Sequence, residues 1–447
     1  MNQTFSNSAE FIAQLQNIEQ QINDKQLQEA ALQLNQLGKT ALHDPRLFVL
    51  GSRLAEAAGN FEGMLQAAQK AHQLAPEWPN ASMRLARVLA GRDEADEAMS
   101  LVEDALAQAA SQATSSARDT ELLCQAATVA QRLNRHPQAL QWWRKAEHIN
   151  PEDFGIRHQI ARSLIHCNDA ESAVGILSSL LAQLPNHPGL LSDRLRARLN
   201  TQQYEQAIQD GQALLALDPF NEEYRFLMDL ALSITPKTLP AAVITNLFDG
   251  YGVRMDHHLA DPLQSILSAD VADSILQWYP DRNVDVLDLG CGTGTLGASL
   301  GSLSGALIGV DLSQEMADKA IAQKVYDRIH RVNILDALQA TPSDHYDVIT
   351  ALNVLTYLGD LTTVIPNAHR ILAAGGRLVF SYLTCADDKA GYTLQNYRYT
   401  HQTDYVQELL EKTGFGEIHN EARTMCLVDG EPVQGFLVTA RKPVTTT

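Results

Sequence analysis

The apolar positions along the chain follow two different patterns, one in each half. Up to about residue 233 they recur at helical spacing, in stripes separated by polar turns such as NRH (134–136). Beyond residue 240 they form short runs: VDVLDL (284–289), ALIGVDL (306–312), YDVITAL (346–352) and GRLVFSYL (376–383). The first pattern predicts paired helices, and the second predicts strands that alternate with helices.

The first half of the chain repeats every 34 residues. Two sets of residues keep this spacing: Pro151, Pro185 and Pro219, and Ala139, Ala173 and Ala207. Pro76 and Ala98 fit the same frame if seven extra residues are allowed, and we place them in the stretch 108–117. Each copy has two helical stripes, a small residue where the helices approach, and a proline that ends the second helix because it lacks an N–H donor.

This pattern resembles the tetratricopeptide repeat, without the aromatic residue usual in the first helix. We expect four clear repeats between about 45 and 219, a degenerate helix pair at 8–44 and a capping helix near 221–233. Such arrays stack into a superhelix with a concave face. The resemblance implies a protein or peptide partner on that face, with dimerisation or purely structural support as the alternative. Trp142 and Trp143 share a second-helix stripe, and core packing is expected for at least one of them.

The second half reads as a separate domain. The segment SITPKTLP (233–240) has two prolines and no periodicity, so it is predicted to be a linker. We therefore expect an all-α repeat solenoid over residues 1–235 and an α/β domain over 236–447. Alternating strands and helices predict a parallel sheet covered on both faces, with ligands bound beyond the carboxyl ends of its strands.

The first expected strand of this domain runs into a glycine-rich loop, VLDLGCGTG (286–294). Gly290, Gly292 and Gly294 allow the backbone to turn sharply and to approach a ligand closely. The acidic residue Asp288 lies two positions before the first glycine. A glycine loop alone is a weak motif, so its neighbours along the chain decide what it indicates.

Three further elements follow the loop in order. Asp311 ends the second expected strand, 17 residues beyond Gly294. NILDA (333–337) follows the expected third strand, and the fourth ends in ALN (351–353). Together these elements resemble the class I S-adenosylmethionine-dependent methyltransferases, which implies a Rossmann-like sheet of seven strands and S-adenosylmethionine as the cofactor.

The resemblance also implies roles for individual residues. Asp288 is expected to hold the loop amides and to face the cofactor's amino group, and Asp311 to accept hydrogen bonds from both ribose hydroxyls. Asp336 is expected to accept the adenine amino group, the Ala337 backbone to address the ring, and Asn353 to line the methionine end. The expected cofactor-binding residues are Asp288, Gly290, Cys291, Gly292, Gly294, Asp311, Leu312, Asp336, Ala337 and Asn353.

A dinucleotide-binding oxidoreductase is the competing interpretation, because GTGTLG (292–297) satisfies the pattern GxGxxG. The acidic residue before the first glycine favours the methyltransferase. So does the chain end, where GFGEIHNEA and GEPVQGFLVTARK are typical of the hairpin that closes a methyltransferase sheet. Segments 247–263, 357–361 and 398–415 are also similar to a bacterial family of predicted methyltransferases that carry tetratricopeptide repeats.

The acceptor of the methyl group would lie near residues 397–401, which are expected on a loop after the fifth strand. Acceptor contacts usually cluster there in this fold, and a general base is needed only if the acceptor loses a proton. The candidates for acceptor-side catalysis are His401, His258 and Tyr399, with His257 as a further base, and those for substrate contacts are Tyr251, Tyr397 and Arg398.

Each of these candidates has a plainer alternative. Arg398 binds an acceptor carboxylate bidentately, or else pairs with a nearby acid. His401 acts on the acceptor, or else caps the helix expected near Thr403. Tyr251 and His258 cover the cofactor as a lid, or else pack an entry helix against the sheet.

Composition excludes several classes of partner and site. Lys plus Arg number 34 and Asp plus Glu number 53, which gives a net charge of −19. Without a basic stripe, such a chain is not expected to bind nucleic acid. The five cysteines are odd in number and form no CxxC pair, which suits a reducing cytosol and predicts neither a disulfide framework nor a metal site.

No membrane association is expected. The N-terminus lacks the basic and apolar regions of a signal peptide. Residues 289–310 carry no charge over 22 positions, but seven glycines and five Ser/Thr make a poor spanning helix. Four of these glycines, Gly297, Gly301, Gly305 and Gly309, recur every four residues. A cytoplasmic location follows, and the oligomeric state is left open.

Three functions remain in competition. The first is a methyltransferase whose repeats recruit a protein or peptide acceptor. The second is a small-molecule methyltransferase, acting on a carboxylate or hydroxyl, whose repeats dimerise the enzyme or dock it to a partner. The third is a repeat scaffold with a domain that only binds S-adenosylmethionine, and the intact set of Asp288, Asp311 and Asp336 argues against it.

Overall fold

A computed structural model describes residues 8–91, 94–111, 116–249, 262–385, 391–395, 397–428 and 431–444. The chain divides into two compact units, Met1–Asp210 and Gly211–Thr447. This division falls 25 residues before the boundary expected after residue 235, inside the last helix of the repeats.

The first unit consists of helices. It begins with α1 (Ala9–Asn23) and α2 (Leu27–Thr40). Five pairs follow: α3 (Pro45–Ala57) and α4 (Phe61–Leu74), α5 (Pro79–Ala90) and α6 (Ala95–Ser111), α7 (Ser116–Arg132) and α8 (His136–Ile149), α9 (Phe154–His166) and α10 (Ala170–Gln183), and α11 (Pro188–Asn200) and α12 (Tyr204–Leu217), of which α12 crosses the division.

The described residues thus contain five repeat pairs from residue 45 onwards, where the sequence predicted four. The 34-residue frame itself accommodates the fifth pair, because the 75 residues from Pro76 to Pro151 hold two copies and the seven extra residues. Helices α6 and α7 have 17 residues each, whereas the other repeat helices have 12 to 14. The expected insertion therefore lengthens two helices.

The small residues of the repeat frame lie where helices approach most closely. Ala98, Ala139, Ala173 and Ala207 have no exposed surface. Any larger side chain at these positions would have to displace the neighbouring helix, since protein interiors are close-packed. Trp142 and Trp143 are both buried as well, at 4% and 5% exposure, which agrees with the packing role expected for at least one of them.

Polar pairs link the first helices of neighbouring repeats. Arg84 on α5 donates to the Glu56 carboxylate on α3 at 2.7 Å, and Arg84 is only 6% exposed. Nε2 of His158 on α9 lies 2.8 Å from the Asp193 carboxylate on α11. Because a buried charge is costly without a partner, these pairs fix the register of successive repeats.

The second unit contains the strands. Its helices are α13 (Glu222–Ala231), α14 (Ala241–Asp249), α15 (Pro262–Trp278), α16 (Thr295–Leu300), α17 (Gln314–Ala322), α18 (Ile334–Ala340), α19 (Val364–Ile371) and α20 (Thr403–Thr413), with a 3₁₀ turn at Leu355–Tyr357. Its strands are β1 (Val286–Leu289), β2 (Leu307–Asp311), β3 (Arg328–Arg331), β4 (Tyr346–Ala351), β5 (Leu372–Leu383), β6 (Tyr392–Gln395), β7 (Arg398–His401), β8 (Gly416–Val428) and β9 (Glu431–Arg441).

Seven of these strands form one sheet in the order β3-β2-β1-β4-β5-β9-β8. Strands β1 to β5 are parallel, and β9 and β8 close the sheet as an antiparallel hairpin. The expected seven-stranded, Rossmann-like sheet is therefore confirmed. Strand order reverses between β1 and β4, so a crevice opens at their carboxyl ends, which is where ligands bind in sheets of this type.

Successive side chains of each strand face opposite sides of the sheet. Leu287 and Leu289 of β1 pack in a core with Ile365 of α19 and Leu410 of α20. Val286 packs in the opposite core, together with residues of α15 and α16. Alternation places the side chain of Asp288 on this second side, beneath α16.

The predicted linker is fixed to the second unit by its backbone. Thr238 forms a β-bridge with Leu358, and the Lys237 carbonyl accepts hydrogen bonds from the amides of Gly359 and Asp360 at 2.8 and 2.9 Å. The predicted linker segment thus has backbone hydrogen-bond partners about 120 residues further along the chain.

No helix within the described ranges is long and apolar enough to cross a bilayer. The cytoplasmic location stays a prediction.

Candidate functional site

The glycine loop after β1 has the backbone that its sequence predicts. Gly290, Gly292 and Gly294 have φ values of +70°, +53° and +87°, which side chains other than glycine's rarely tolerate. A Cβ atom at Gly290 would lie 2.6 Å from Val354 Cγ2, whereas one at Gly292 would meet nothing within 4 Å. The loop therefore presents its backbone to open space at Gly292, as a ligand cradle requires.

The carboxylate of Asp311 holds this loop from the end of β2. Its Oδ2 accepts a hydrogen bond from the Gly292 amide at 2.9 Å, and its Oδ1 accepts one from the Ser313 amide at 2.9 Å. Burial raises the pKa of Asp311, and these backbone donors oppose the rise. The residue as a whole is half-buried, and it lies at the carboxyl end of β2.

Asp288 has other partners than expected. The sequence predicted that it holds the loop amides, but its Oδ1 accepts from the Thr350 hydroxyl and its Oδ2 from the Tyr326 hydroxyl, both at 2.7 Å. The reason is strand alternation, which turns the side chain beneath the loop rather than into it. Burial raises the pKa of Asp288 to about 6, the two hydroxyl donors oppose this, and the charge of Asp311 adds to it.

Cys291 is buried within the loop, at 7% exposure. Burial raises the pKa of its thiol strongly, and the charges of Asp288 and Asp311 act in the same direction. The thiol therefore stays protonated, and it is not a nucleophile. Its sulfur packs against β2, since a Cβ atom at Gly309 would lie 2.9 Å from it, and its expected contact with the cofactor stays a prediction.

Asn353 follows the end of β4, where the strand order reverses. Its backbone has φ +57°, and its amide donates to the Ser381 hydroxyl at 2.7 Å. That hydroxyl donates in turn to Asn353 Oδ1 at 3.2 Å. A left-handed asparagine held from both sides is typical of a site where strain serves a function.

The remaining cofactor-side residues lie after neighbouring strands. Helix α18 follows β3, and the Asn333 side chain caps it by accepting from the Leu335 amide at 2.9 Å. Asp336 lies exposed in its first turn, while Ala337 and Leu312 are half-buried. These positions suit the expected contacts, and their roles in binding stay predictions.

Two candidates on the acceptor side are packed into the protein. His401 and Tyr399 have no exposed surface. His401 Nε2 donates to the carbonyls of Leu358 and Gly359 at 2.9 and 3.1 Å, and the Tyr399 hydroxyl donates to the Pro236 carbonyl at 2.8 Å. The expected exposed loop is strand β7, which turns these two side chains inward, so the structure gives them a packing role instead of contact with an acceptor.

The other acceptor-side candidates are more dispersed. Arg398 points outward from β7, and the half-buried ring of Tyr397 lies 6.0 Å from that of Phe226. Tyr251, His257 and His258 lie outside the described residues. The geometry therefore defines the cofactor side of the site more fully than the acceptor side.

The buried state of His401 predicts acid sensitivity. Burial lowers its pKa to about 4, although the two carbonyl partners oppose this. The unfolded chain takes up this proton near pH 6.5, so the folded state loses stability as the pH falls from 6.5 towards 4. Glutamine at this position also donates to carbonyls but does not titrate. In His401→Gln, the free energy of unfolding should therefore fall by about 2 to 3 kcal/mol less than in wild type when the pH is lowered from 7 to 4.5.

Urea unfolding at both pH values would measure this difference. His330→Gln, at an exposed position of β3, is the control and should leave the pH dependence as it is. An identical pH dependence in His401→Gln and wild type would contradict the assignment.

Three residues of the site escaped the sequence analysis: Tyr326, Thr350 and Ser381. Thr350 and Ser381 are polar residues inside otherwise apolar strands, which is a signal that could have found them. Tyr326 gives no such signal, because it precedes β3 in a polar segment and reaches Asp288 only through the fold.

The described part of the chain contains no group of three or more His, Cys, Asp or Glu residues that could hold a metal ion. Cys124, Cys167, Cys291 and Cys385 are free thiols there.

Comparison with known protein families gives two matches. Residues 287–378 match the model of a methyltransferase domain, and residues 3–185 match that of a tetratricopeptide repeat. The first range begins in β1 and ends in β5, so it contains the glycine loop, Asp311 and Asn353. The second range contains α1 to α10.

One curated relative is the ubiquinone biosynthesis O-methyltransferase of Xanthomonas oryzae pv. oryzae (strain PXO99A). It is 31% identical over 146 residues, which cover 32% of this chain and 58% of the relative. The chain spans 46% and 57% of two further ubiquinone biosynthesis O-methyltransferases, from Hydrogenovibrio crunogenus and Nitrosospira multiformis. It therefore spans about half the length of these relatives.

Two solved structures resemble separate parts of the chain. Magnesium protoporphyrin IX methyltransferase from Synechocystis PCC 6803, with bound SAH, covers 45% of this chain and is itself covered to 99%, with 16% identity and a TM-score of 0.36. YrrB, a tetratricopeptide-repeat protein with a peptide-binding site, covers 45% and is covered to 96%, with 18% identity and a TM-score of 0.35.

The family matches agree with the helix pairs of the first unit and with the strand order of the second. The chain therefore joins a region that matches the tetratricopeptide repeat to a region that matches a methyltransferase domain.

Proposed function

We propose that this protein transfers a methyl group from S-adenosylmethionine to the hydroxyl oxygen of a small acceptor molecule. The observation that carries the transfer is the cradle at the carboxyl ends of β1 and β2. There the Gly292 backbone borders open space, and the Asp311 carboxylate holds it from below. Backbone amides next to a charged acceptor fit the polar parts of a nucleoside cofactor.

The residues of the chain have few tasks in such a reaction. S-adenosylmethionine supplies a methyl group on a cationic sulfur and leaves as a neutral thioether. Asp311 would hold the ribose, and Asn353, fixed by Ser381, would line the end of the crevice where the methyl group lies. Positioning the two reactants and excluding water then account for most of the rate.

The acceptor class rests on the curated relatives. Those that are named as ubiquinone biosynthesis O-methyltransferases methylate oxygen by their names, and one of them is 31% identical to this chain over 146 residues. A hydroxyl acceptor loses its proton during transfer, which calls for a base. His401 is unsuited because its Nε2 donates to two carbonyls, and His258 and His257 remain the sequence candidates for this role.

A protein or peptide acceptor, recruited by the repeats, is the second candidate. Its support is the repeat match over residues 3–185, because arrays of this kind mainly present an extended binding surface. With a small acceptor, the same surface would dock the enzyme to a partner protein. Both candidates use the same methyl-transfer chemistry. They differ in whether the methyl group ends on a small molecule or on a macromolecule.

The size of the labelled product distinguishes the two candidates. Full-length protein would be incubated with methyl-labelled S-adenosylmethionine and an extract of the producing cells, and the products separated by size. We expect label in the small-molecule fraction, with Asp311→Ala as the inactive control. Label confined to macromolecules would favour the peptide acceptor, and label in neither fraction at any pH would contradict methyl transfer.

A further inference from the structure

Three residues lie side by side across the middle of the sheet. Gly309 on β2 and Thr350 on β4 both pair with Asp288 on β1. Thr350 donates its hydroxyl to Asp288 Oδ1 from one side at 2.7 Å. Gly309 has no side chain, so the space above β2 on the other side is filled from elsewhere in the chain.

The ring of Tyr326 fills this space together with the sulfur of Cys291, and three glycines make room for the ring. A Cβ atom would lie 2.4 Å from the ring at Gly297, and 3.1 Å from it at both Gly294 and Gly309, where Cys291 Sγ would lie at 2.9 Å. These glycines come from the loop, from α16 and from β2. Two of the glycines that recur along residues 297–309 are thereby explained, because they form the walls of a slot for one aromatic ring.

The hydroxyl of Tyr326 joins two parts of the cofactor site. It donates to Asp288 Oδ2 at 2.7 Å and accepts from the Gly297 amide at 3.2 Å. Gly297 lies in the first turn of α16, where backbone amides have no partner within the helix. One phenol therefore connects the buried carboxylate under β1 with the helix that follows the glycine loop.

We propose that Tyr326 is a positioning residue of the cofactor site, which holds the Asp288 carboxylate ionised and in register with the glycine loop. This inference rests on the proposed function, since its value to the enzyme is the binding of a cationic cofactor. An anion fixed beneath the loop favours the positive charge of S-adenosylmethionine, and more so in a buried setting.

The charges around Asp288 set the direction of the effect. Its surroundings are the Tyr326 and Thr350 hydroxyls, the Cys291 thiol and the Asp311 carboxylate. Burial raises the pKa of Asp288 to about 6, and the two hydroxyls are the groups that lower it. Removing the Tyr326 hydroxyl therefore raises the pKa further and protonates Asp288 in the neutral range, which removes the anion beneath the loop.

The test uses Tyr326→Phe in the full-length protein, because phenylalanine still fills the glycine slot. Affinity for S-adenosylmethionine would be measured by calorimetry between pH 5 and pH 8.5. At pH 7 we expect a 5- to 30-fold loss, and the pH at which binding is half-lost should move up by about one unit. Thr350→Val removes the other donor and leaves Gly297 untouched, so it should shift the pH midpoint in the same direction.

Two results would overturn the proposal. One is that Tyr326→Phe binds S-adenosylmethionine with the same affinity as wild type at every pH. The other is that its affinity falls by the same factor at every pH, which would mean that Tyr326 only shapes the site. A wild type that binds no cofactor at any pH would contradict the proposed function instead. In that case the carboxyl ¹³C titration of Asp288 in the free protein tests the role of Tyr326 separately. An unchanged titration midpoint in Tyr326→Phe overturns the proposal, and a raised midpoint supports it.

Discussion

Replacing Asp311 with alanine is expected to weaken binding of S-adenosylmethionine by roughly 100- to 20,000-fold. Its carboxylate, at the end of β2, accepts a hydrogen bond from the Gly292 amide at 2.9 Å. In its proposed role it also accepts hydrogen bonds from two ribose hydroxyls, and bonds to a charged acceptor contribute about 1.5 to 3 kcal/mol each. Calorimetric titration of the full-length protein measures the change.

Asp318→Ala is the matched control, because Asp318 is an exposed carboxylate on α17, in the segment that follows β2. It should bind with the affinity of wild type. Asp311→Asn keeps the size of the side chain and one acceptor for the loop amide, so it separates loop collapse from lost ribose contacts. Wild-type affinity in both Asp311 variants would contradict the assigned role.

Replacing Gly290 with alanine is expected to destabilise the protein by about 2 to 5 kcal/mol. Its φ of +70° disfavours any side chain by about 1 to 2 kcal/mol, and the new Cβ would lie 2.6 Å from Val354 Cγ2. Urea unfolding of the full chain measures the loss. The double variant Gly290→Ala with Val354→Ala should recover the part due to overlap and keep the part due to φ.

Gly292→Ala is the control for this prediction. Its φ is +53°, but a Cβ there would meet nothing within 4 Å. We expect only the backbone cost in stability, together with weaker cofactor binding because the methyl group enters the open cradle. Equal destabilisation by the two alanine variants would show that Val354 does not restrict Gly290.

The elements that the sequence predicted well are those with a local pattern. The 34-residue period located the repeat helices, because each copy carries its own alanine and proline. The apolar runs located β1, β2 and β4 to within two residues. The backbone contacts of the linker were not predicted, since the pairing of Thr238 with Leu358 joins segments far apart in the chain. The β6–β7 hairpin was expected to be a loop.

The candidate site divides in the same way. The glycine loop and Asp311 follow from short motifs, and the structure places them together at the strand ends. The partners of Asp288 are 38 and 62 residues away, and only the order of the strands brings Tyr326 and Thr350 to it. His401 and Tyr399 were misjudged because strand β7, not a loop, decides which way they face.

Hydrogen exchange of the full-length protein with and without S-adenosylhomocysteine tests the central claim most directly. If the cradle binds this cofactor, the amides of residues 290–297 and 311–313 should become protected, and the repeat helices should exchange as before. Binding without protection in those two segments, or no binding at all, would contradict a cofactor site at the carboxyl ends of β1 and β2.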